Sequence, residues 1–108
     1  MIKYKGLQVA PAELEALLLS HPLIMDAAVI GVAATDGSGN EVPRAYIVAD
    51  EKKISVDQVK EFVKSKLAHY KQLRGGVIYL PAIPKSPSGK ILRRELRDQA
   101  KREQKSKL

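Results

Sequence analysis

The run Ile83 to Arg94, IPKSPSGKILRR, brings backbone stiffness, a turn and a cation together in a short stretch. Pro84 and Pro87 each hold φ near −65° and lack an N–H, so neither belongs inside a helix or a central strand. Ser88-Gly89 ahead of Lys90 reads as a turn, with Gly89 free to take a positive φ. Lys90 therefore rides on a stiffened turn. Its ammonium is a compact point charge suited to phosphate or carboxylate oxygens, so the chemistry on offer is stabilisation of an oxyanion. On residue types alone, the competing account is a surface turn with a solvated lysine.

Other sources of chemistry are thin. A Walker A loop would need Gly at Pro84 and Ser or Thr at Ile91. His21 and His69 lie far apart in a chain with no cysteine to join them, so a metal site is not expected. The loop Asp36-Gly37-Ser38-Gly39-Asn40 fails as a calcium loop, because Glu41 stands at the turn glycine and Ile47 at the bidentate Glu. Gly37 and Gly39 are not followed by a helix, so a dinucleotide fingerprint fails as well. No Ser–His–acid triad can be argued, and nothing in the chain is a self-sufficient active site.

The elements that must position Lys90 follow from periodicity. Ile2 and Tyr4 alternate with Lys3 and Lys5 as in a half-buried strand, Gly6 breaks it, and Leu7-Gln8-Val9 resumes the alternation as a small hairpin. Pro11 fits the first position of a helix whose Leu14, Leu17 and Leu18 share a face and which ends before Pro22. Ala27–Ala34 is a small apolar run that reads as a strand buried on both faces. Residues 35–41 form a loop, and Arg44–Ala49 returns as an antiparallel partner. Ser55 with Gln58 makes a capping box, opening a helix striped by Val59, Phe62, Val63 and Leu67, with Tyr70 one turn on. Lys71–Gly76 is a linker turning at Gly75-Gly76, and Val77–Leu80 is a short strand. Beyond the proline turn, Leu92, Leu96 and Ala100 mark a last helix, and the closing KREQKSKL is expected to fray. The fold class is α+β: a small sheet of about three strands and an N-terminal hairpin, packed with about three helices.

At 108 residues the chain is one domain by size. No run approaches the ~20 apolar residues of a membrane span, so no span is expected. A signal peptide is not expected at the opening, where Ile2 and Tyr4 already alternate with Lys3 and Lys5. The net charge of +7 is concentrated at one end: residues 85–108 hold nine Lys/Arg against three Asp/Glu, whereas residues 1–84 hold ten against nine. A basic end can serve nucleic acid, an anionic surface or a polyphosphate. Nucleic acid is not the expected partner, since no aromatics interleave with the basic cluster and no recognition motif is present.

IPKSPSGKILRREL resembles the C-terminal signature of the adenylate-forming family of acyl- and aryl-CoA ligases, coumarate–CoA ligases and firefly luciferase. The opening IKYKGLQVAPAELEALL resembles the same family's sequence just past its interdomain hinge, and LRGGV lies between the two in the family's order. The resemblance implies the C-terminal, mobile domain of an ATP-dependent ligase over residues 1–104, with 105–108 a flexible tail. ATP and CoA are then substrates, and Mg2+ is expected to be held by a larger domain that lies outside this chain. That larger N-terminal ATP- and acid-binding domain becomes the main partner, and the chain reads as an excised domain, inactive by itself. By the same resemblance, Lys90 matches the lysine that reaches carboxylate and phosphate oxygens during adenylation. Lys3 and Gln8 match residues presented to the site for thioester formation, and Gly6 a glycine where the backbone passes close to the pantetheine of CoA. Lys5, Arg93 and Arg94 read as surface charge. A luciferase-type oxygenase, or a non-catalytic basic binding module, are the alternatives.

Ser106-Lys107-Leu108 is the C-terminal tripeptide read by peroxisomal import receptors, so the expected location is the peroxisome and the receptor a further partner.

Overall fold

The computed structural model of the protein describes residues 2–4, 7–34, 37–67 and 72–106, except for the side chains of Tyr4, Leu7 and residues 103–106. Strands β1 (Ile2–Tyr4) and β2 (Leu7–Val9) form an antiparallel hairpin. Helix α1 (Pro11–Leu19) follows directly, with Pro11 at its first turn as its fixed φ favours. Strand β3 (Asp26–Ala33) pairs antiparallel with β4 (Glu41–Val48), helix α2 (Val56–Lys66) follows, β5 (Val77–Tyr79) completes a second sheet in the order β3–β4–β5, and α3 (Arg93–Ser106) closes the chain. The architecture is α+β, with the expected hairpin, three-stranded sheet and three helices.

The sheet is covered on both faces, and strand alternation decides which residue faces which layer. Ala27, Val29, Ala45 and Ile47 pack with Leu14 and Leu18 of α1 and Val59 and Val63 of α2. Ala28, Ile30, Val32 and Tyr46 pack on the other side with Leu96 and Ala100 of α3 and with Ile83. This is why residues 27–32 are apolar without alternation: β3 has no face left for water.

Two features depart from the sequence reading. First, β4 begins at Glu41 rather than Arg44, so Pro43 sits inside a strand. The carbonyl of Pro43 accepts from the Gly75 N–H at 2.8 Å, on the side where β5 has not yet begun. The missing proline N–H therefore lies where no ladder bond is needed. Second, β5 runs parallel to β4, and α2 is the crossover between them. One βαβ unit is embedded in a chain that otherwise reads as intermixed strands and helices. The crossover is tied at its start by the Tyr79 hydroxyl, which donates to the Ile54 carbonyl. Burial, and secondarily the Glu51 carboxylate, raise the Tyr79 pKa above its ordinary value, which keeps that donor protonated.

The capping box is present in full: Ser55 Oγ accepts the Gln58 N–H at 3.2 Å and Gln58 Oε1 accepts the Ser55 N–H at 2.8 Å. The helix α3 continues to Ser106, past buried Ala100 and exposed Lys101 and Arg102, where the sequence reading has the chain losing order from Lys101. Lys, Arg, Glu and Gln are strong helix formers and carry the turns beyond the packed part. Tyr70, His69 and Lys71 lie outside the described residues.

Gly75 is required by space. A Cβ there would stand 2.8 Å from the Pro43 carbonyl oxygen and 2.8 Å from Val32 Cγ2. Gly75→Ala is therefore expected to destabilise the domain by about 1–3 kcal/mol, as overpacking does. A thermal melt should show a loss of roughly 4 °C or more. An unchanged melting temperature would mean that the 75–76 turn can move off β4 at no cost.

Candidate functional site

The proline turn is a miniature hairpin. Lys85 and Ile91 form an antiparallel bridge, the Ser86 N–H donates to the Lys90 carbonyl at 2.9 Å, and the Gly89 N–H donates to the Ser86 carbonyl at 2.9 Å. Pro87-Ser88-Gly89 is thus a three-residue loop, with Gly89 at φ 85° in the left-handed region that such loops demand of their last residue. Ser86 Oγ accepts the Lys90 N–H at 3.2 Å and lies 2.9 Å from Ser88 Oγ, so the loop is braced from inside. The Leu92 N–H returns to the Pro84 carbonyl at 2.9 Å. Ile83 is buried against α3 and Ile91 packs beside it. On the outside, Lys85 Nζ meets Asp26 Oδ2 at 2.6 Å, which ties the loop to the first residue of β3. Lys90 is exposed on this rigid mount. The result is a cation whose backbone is fixed and whose head is free to meet an anion.

The second group of residues sits on the N-terminal hairpin. Ile2 pairs with Val9, both buried, and Lys3 pairs with Gln8, both exposed. Alternation puts Lys3 and Gln8 on one face, where directly opposed side chains have Cβ atoms about 5 Å apart. The structure therefore brings these two residues together, 5 positions apart in sequence. The hairpin is held to the body by Ile2 and by the Lys3 N–H, which donates to Glu41 Oε1 at 3.2 Å. Gly6, the candidate for close approach to pantetheine, lies outside the described residues.

The two groups are anchored at opposite ends of β3. The lysine turn is tied to Asp26, whereas the hairpin leans on Gly31, where Ile2 Cγ1 would lie 3.1 Å from an added Cβ, and on Glu41, which pairs with Ala33. Five residue steps at about 3.3 Å separate Asp26 from Gly31, or roughly 17 Å between anchors. The turn that carries Lys90 and the hairpin that carries Lys3 and Gln8 thus rest on different points of β3. Arg93, read from sequence as surface charge, is instead half-buried and paired with Glu15 of α1, the buried acid of the core. Sequence reasoning missed this pair. Its only signal was that Glu15 falls between Leu14 and Leu18 on the apolar side of α1.

His21 is occupied structurally, since its Nδ1 accepts the Leu23 N–H at 3.1 Å and its ring meets Phe62 edge-on at 4.9 Å. Among the described residues, no three His, Cys, Asp or Glu side chains converge as metal ligands. No helix among them is long and apolar enough to cross a membrane.

Residues 13–90 match the model of the AMP-binding enzyme C-terminal domain, from the first turn of α1 through Lys90. The chain belongs to this family. A protein of Emericella nidulans provisionally named an acyl-coenzyme A synthetase is 57% identical over 102 residues, covering 94% of this chain and 18% of its own. Among solved structures, the fatty acyl-CoA synthetase of Mycobacterium tuberculosis superposes with a TM-score of 0.81 at 38% identity, over 92% of this chain and 19% of that one. MatB from Rhodopseudomonas palustris with ATP bound superposes with a TM-score of 0.80 at 29% identity, again over 92% and 19%. The chain thus spans about a fifth of the relatives it matches. Both the fold and the family agree with the resemblance carried by the two terminal motifs. The matched span ends on Lys90 and begins after Lys3 and Gln8.

Proposed function

We propose that this domain serves the two half-reactions of an ATP-dependent acyl- or aryl-CoA ligase with two different faces. In the first, a carboxylate oxygen attacks the α-phosphorus of ATP and pyrophosphate leaves. In the second, the CoA sulfur attacks the acyl carbon of the adenylate and AMP leaves. Lys90 presents its ammonium to the carboxylate and α-phosphate oxygens, where negative charge must be held while the new P–O bond forms. Lys3 and Gln8 are presented in a second orientation, for thioester formation, with Gly6 giving the pantetheine arm its passage.

The observation that carries this reading is the placement of the two groups. Their anchors stand roughly 17 Å apart along β3, which favours use of the two groups one at a time. Each face would then be brought to the centre in turn, and a rotation of the whole domain is the simplest motion that does so. The centre itself belongs to a larger N-terminal domain. In support, the relatives are about five times the length of this chain, and one of them was solved with ATP bound. Mg2+ would be held there with ATP.

The isolated chain is the direct test. Its two-faced core should give cooperative thermal unfolding, with no acyl-adenylate or acyl-CoA formed from ATP, acid and CoA. Turnover by these 108 residues alone would overturn the two-domain reading.

The address is a second part of the proposal. Ser106-Lys107-Leu108 is a peroxisomal import tripeptide, and the residues before it in sequence, KREQK, are basic. A fluorescent reporter carrying the last twelve residues is expected to enter peroxisomes and to stay in the cytosol once Leu108 is deleted. Import that survived the deletion would remove the tripeptide as the signal.

A further inference from the structure

Glu15 is the buried charged residue of the described core, 7% exposed, and its carboxylate has two partners in two other elements. Oε2 accepts the Val29 N–H at 2.8 Å. That N–H belongs to the outer edge of β3: Val29 faces Ala45, whose own N–H is spent on Gly76 toward β5, so the pair makes no ladder bonds and the Val29 N–H points away from the sheet. Glu15 thus caps a strand edge that would otherwise be unsatisfied. Oε1 takes Arg93 Nη2. Arg93 is the first residue of α3 and lies three positions after Lys90. Its Nε is buried with no hydrogen-bond partner, so the guanidinium is held to this domain's body through the Glu15 contact.

The two ends of the pair are not equally secured. Helix α1 is fixed by Leu14 and Leu18, both at 0% exposure, and needs no ion pair to stay in place. The Lys90 loop has a lighter hold: Ile83 and Ile91 beneath it, a half-exposed Lys85–Asp26 contact on one side, and Arg93 on the other. A buried ion pair is a weak source of net stability, since desolvation offsets much of the attraction, but its geometry is specific. Here the specificity falls on the start of α3.

We infer that Glu15 and Arg93 are positioning residues that set the Lys90 loop against the domain body, and so govern adenylation without governing thioester formation. This rests on the reading of Lys90 given above. Arg93 shares a pocket with Ile2 and Glu41, but the N-terminal hairpin has its own hold: Ile2 and Val9 are buried, and the Lys3 N–H donates to Glu41 Oε1. An error of about 1 Å in the placement of a reacting group can cost up to about 100-fold in rate. The effect should therefore appear in kcat for adenylation rather than in substrate binding.

The test uses the longer ligase chain that carries this domain, with three variants: Arg93→Met, the double variant Glu15→Gln/Arg93→Met, and Lys90→Ala as reference. Arg93→Met alone leaves a buried carboxylate unpaired and can lower stability. The double variant removes that charge and keeps an acceptor for the Val29 N–H, so it should fold. Expected is a drop of about 10-fold or more in kcat for pyrophosphate release in both Arg93 variants. The KM for ATP and acid should stay near the parent's. So should acyl transfer to CoA from a supplied acyl-adenylate. If the folded double variant adenylates at the parental rate while Lys90→Ala does not, the pair positions nothing and the inference fails by itself. Equal losses in both half-reactions would show a general structural role and overturn it too. Parental adenylation by Lys90→Ala would overturn the underlying reading of the lysine, and this inference with it.

Discussion

Replacing Lys90 by alanine in the full ligase is expected to slow acyl-adenylate formation by about 10²–10³-fold, the scale for losing one preorganised charge-stabilising group, or about 3–4 kcal/mol. The loss should lie in the chemical step, because the loop that carries Lys90 is built before substrate arrives. Its hydrogen bonds run from Ser86 to Lys90 and Gly89, and its φ requirement is met by Gly89. An ammonium delivered by a preformed hairpin needs little reorganisation when charge develops. The side chain is exposed in this domain and belongs to neither hydrophobic cluster, so the melting temperature should barely move; exposed substitutions usually cost under about 0.5 kcal/mol. Transfer of a supplied acyl-adenylate to CoA should be close to the parental rate. The measurement is pyrophosphate release under single turnover beside a thermal melt. A large fall in melting temperature would instead assign the lysine to the structure of the turn.

The complementary change, Lys3→Ala, is expected to spare adenylation and slow thioester formation, by about 10²-fold if it too removes a single charge-stabilising contact. The backbone N–H of Lys3, not its side chain, makes the bond to Glu41, so alanine keeps the hairpin attached. Ile2 and Val9 keep their burial, and the register Lys3↔Gln8 is set by that buried pair rather than by the exposed one. Thioester formation from a supplied acyl-adenylate, followed by rapid quench, reads the effect. A loss in pyrophosphate release of the same size would remove the hairpin from the second half-reaction.

How far the fold was legible depended on the range of the interaction concerned. The capping box at Ser55 and Gln58, the helix start at Pro11 and the positive φ at Gly89 are local, and the residue types alone specify them. Burial of β3 on both faces was legible because it leaves a run of apolar residues without alternation. The parallel pairing of β4 with β5 was not, since nothing in three short residues states the direction of a partner some thirty positions away. Pro43 lies inside β4, and only the late start of β5 shows why proline is harmless there. The site divides in the same way. The hairpin that opposes Lys3 and Gln8, and the turn that carries Lys90, are each local. The Glu15–Arg93 pair joins residues 78 positions apart, and a lone Glu beside a leucine stripe and an Arg in a basic run gave no sign that they meet.

If one small domain offers two faces to two successive reactions, the two lysines must fail separately. Pyrophosphate release and thioester formation, followed one at a time in Lys90→Ala and Lys3→Ala ligases prepared side by side, decide the matter. Crossed defects are expected: Lys90→Ala loses the first step and keeps the second, and Lys3→Ala keeps the first and loses the second, with both variants melting like the parent. Parallel defects, in which each variant loses both steps to the same extent, would refute the division between the two faces.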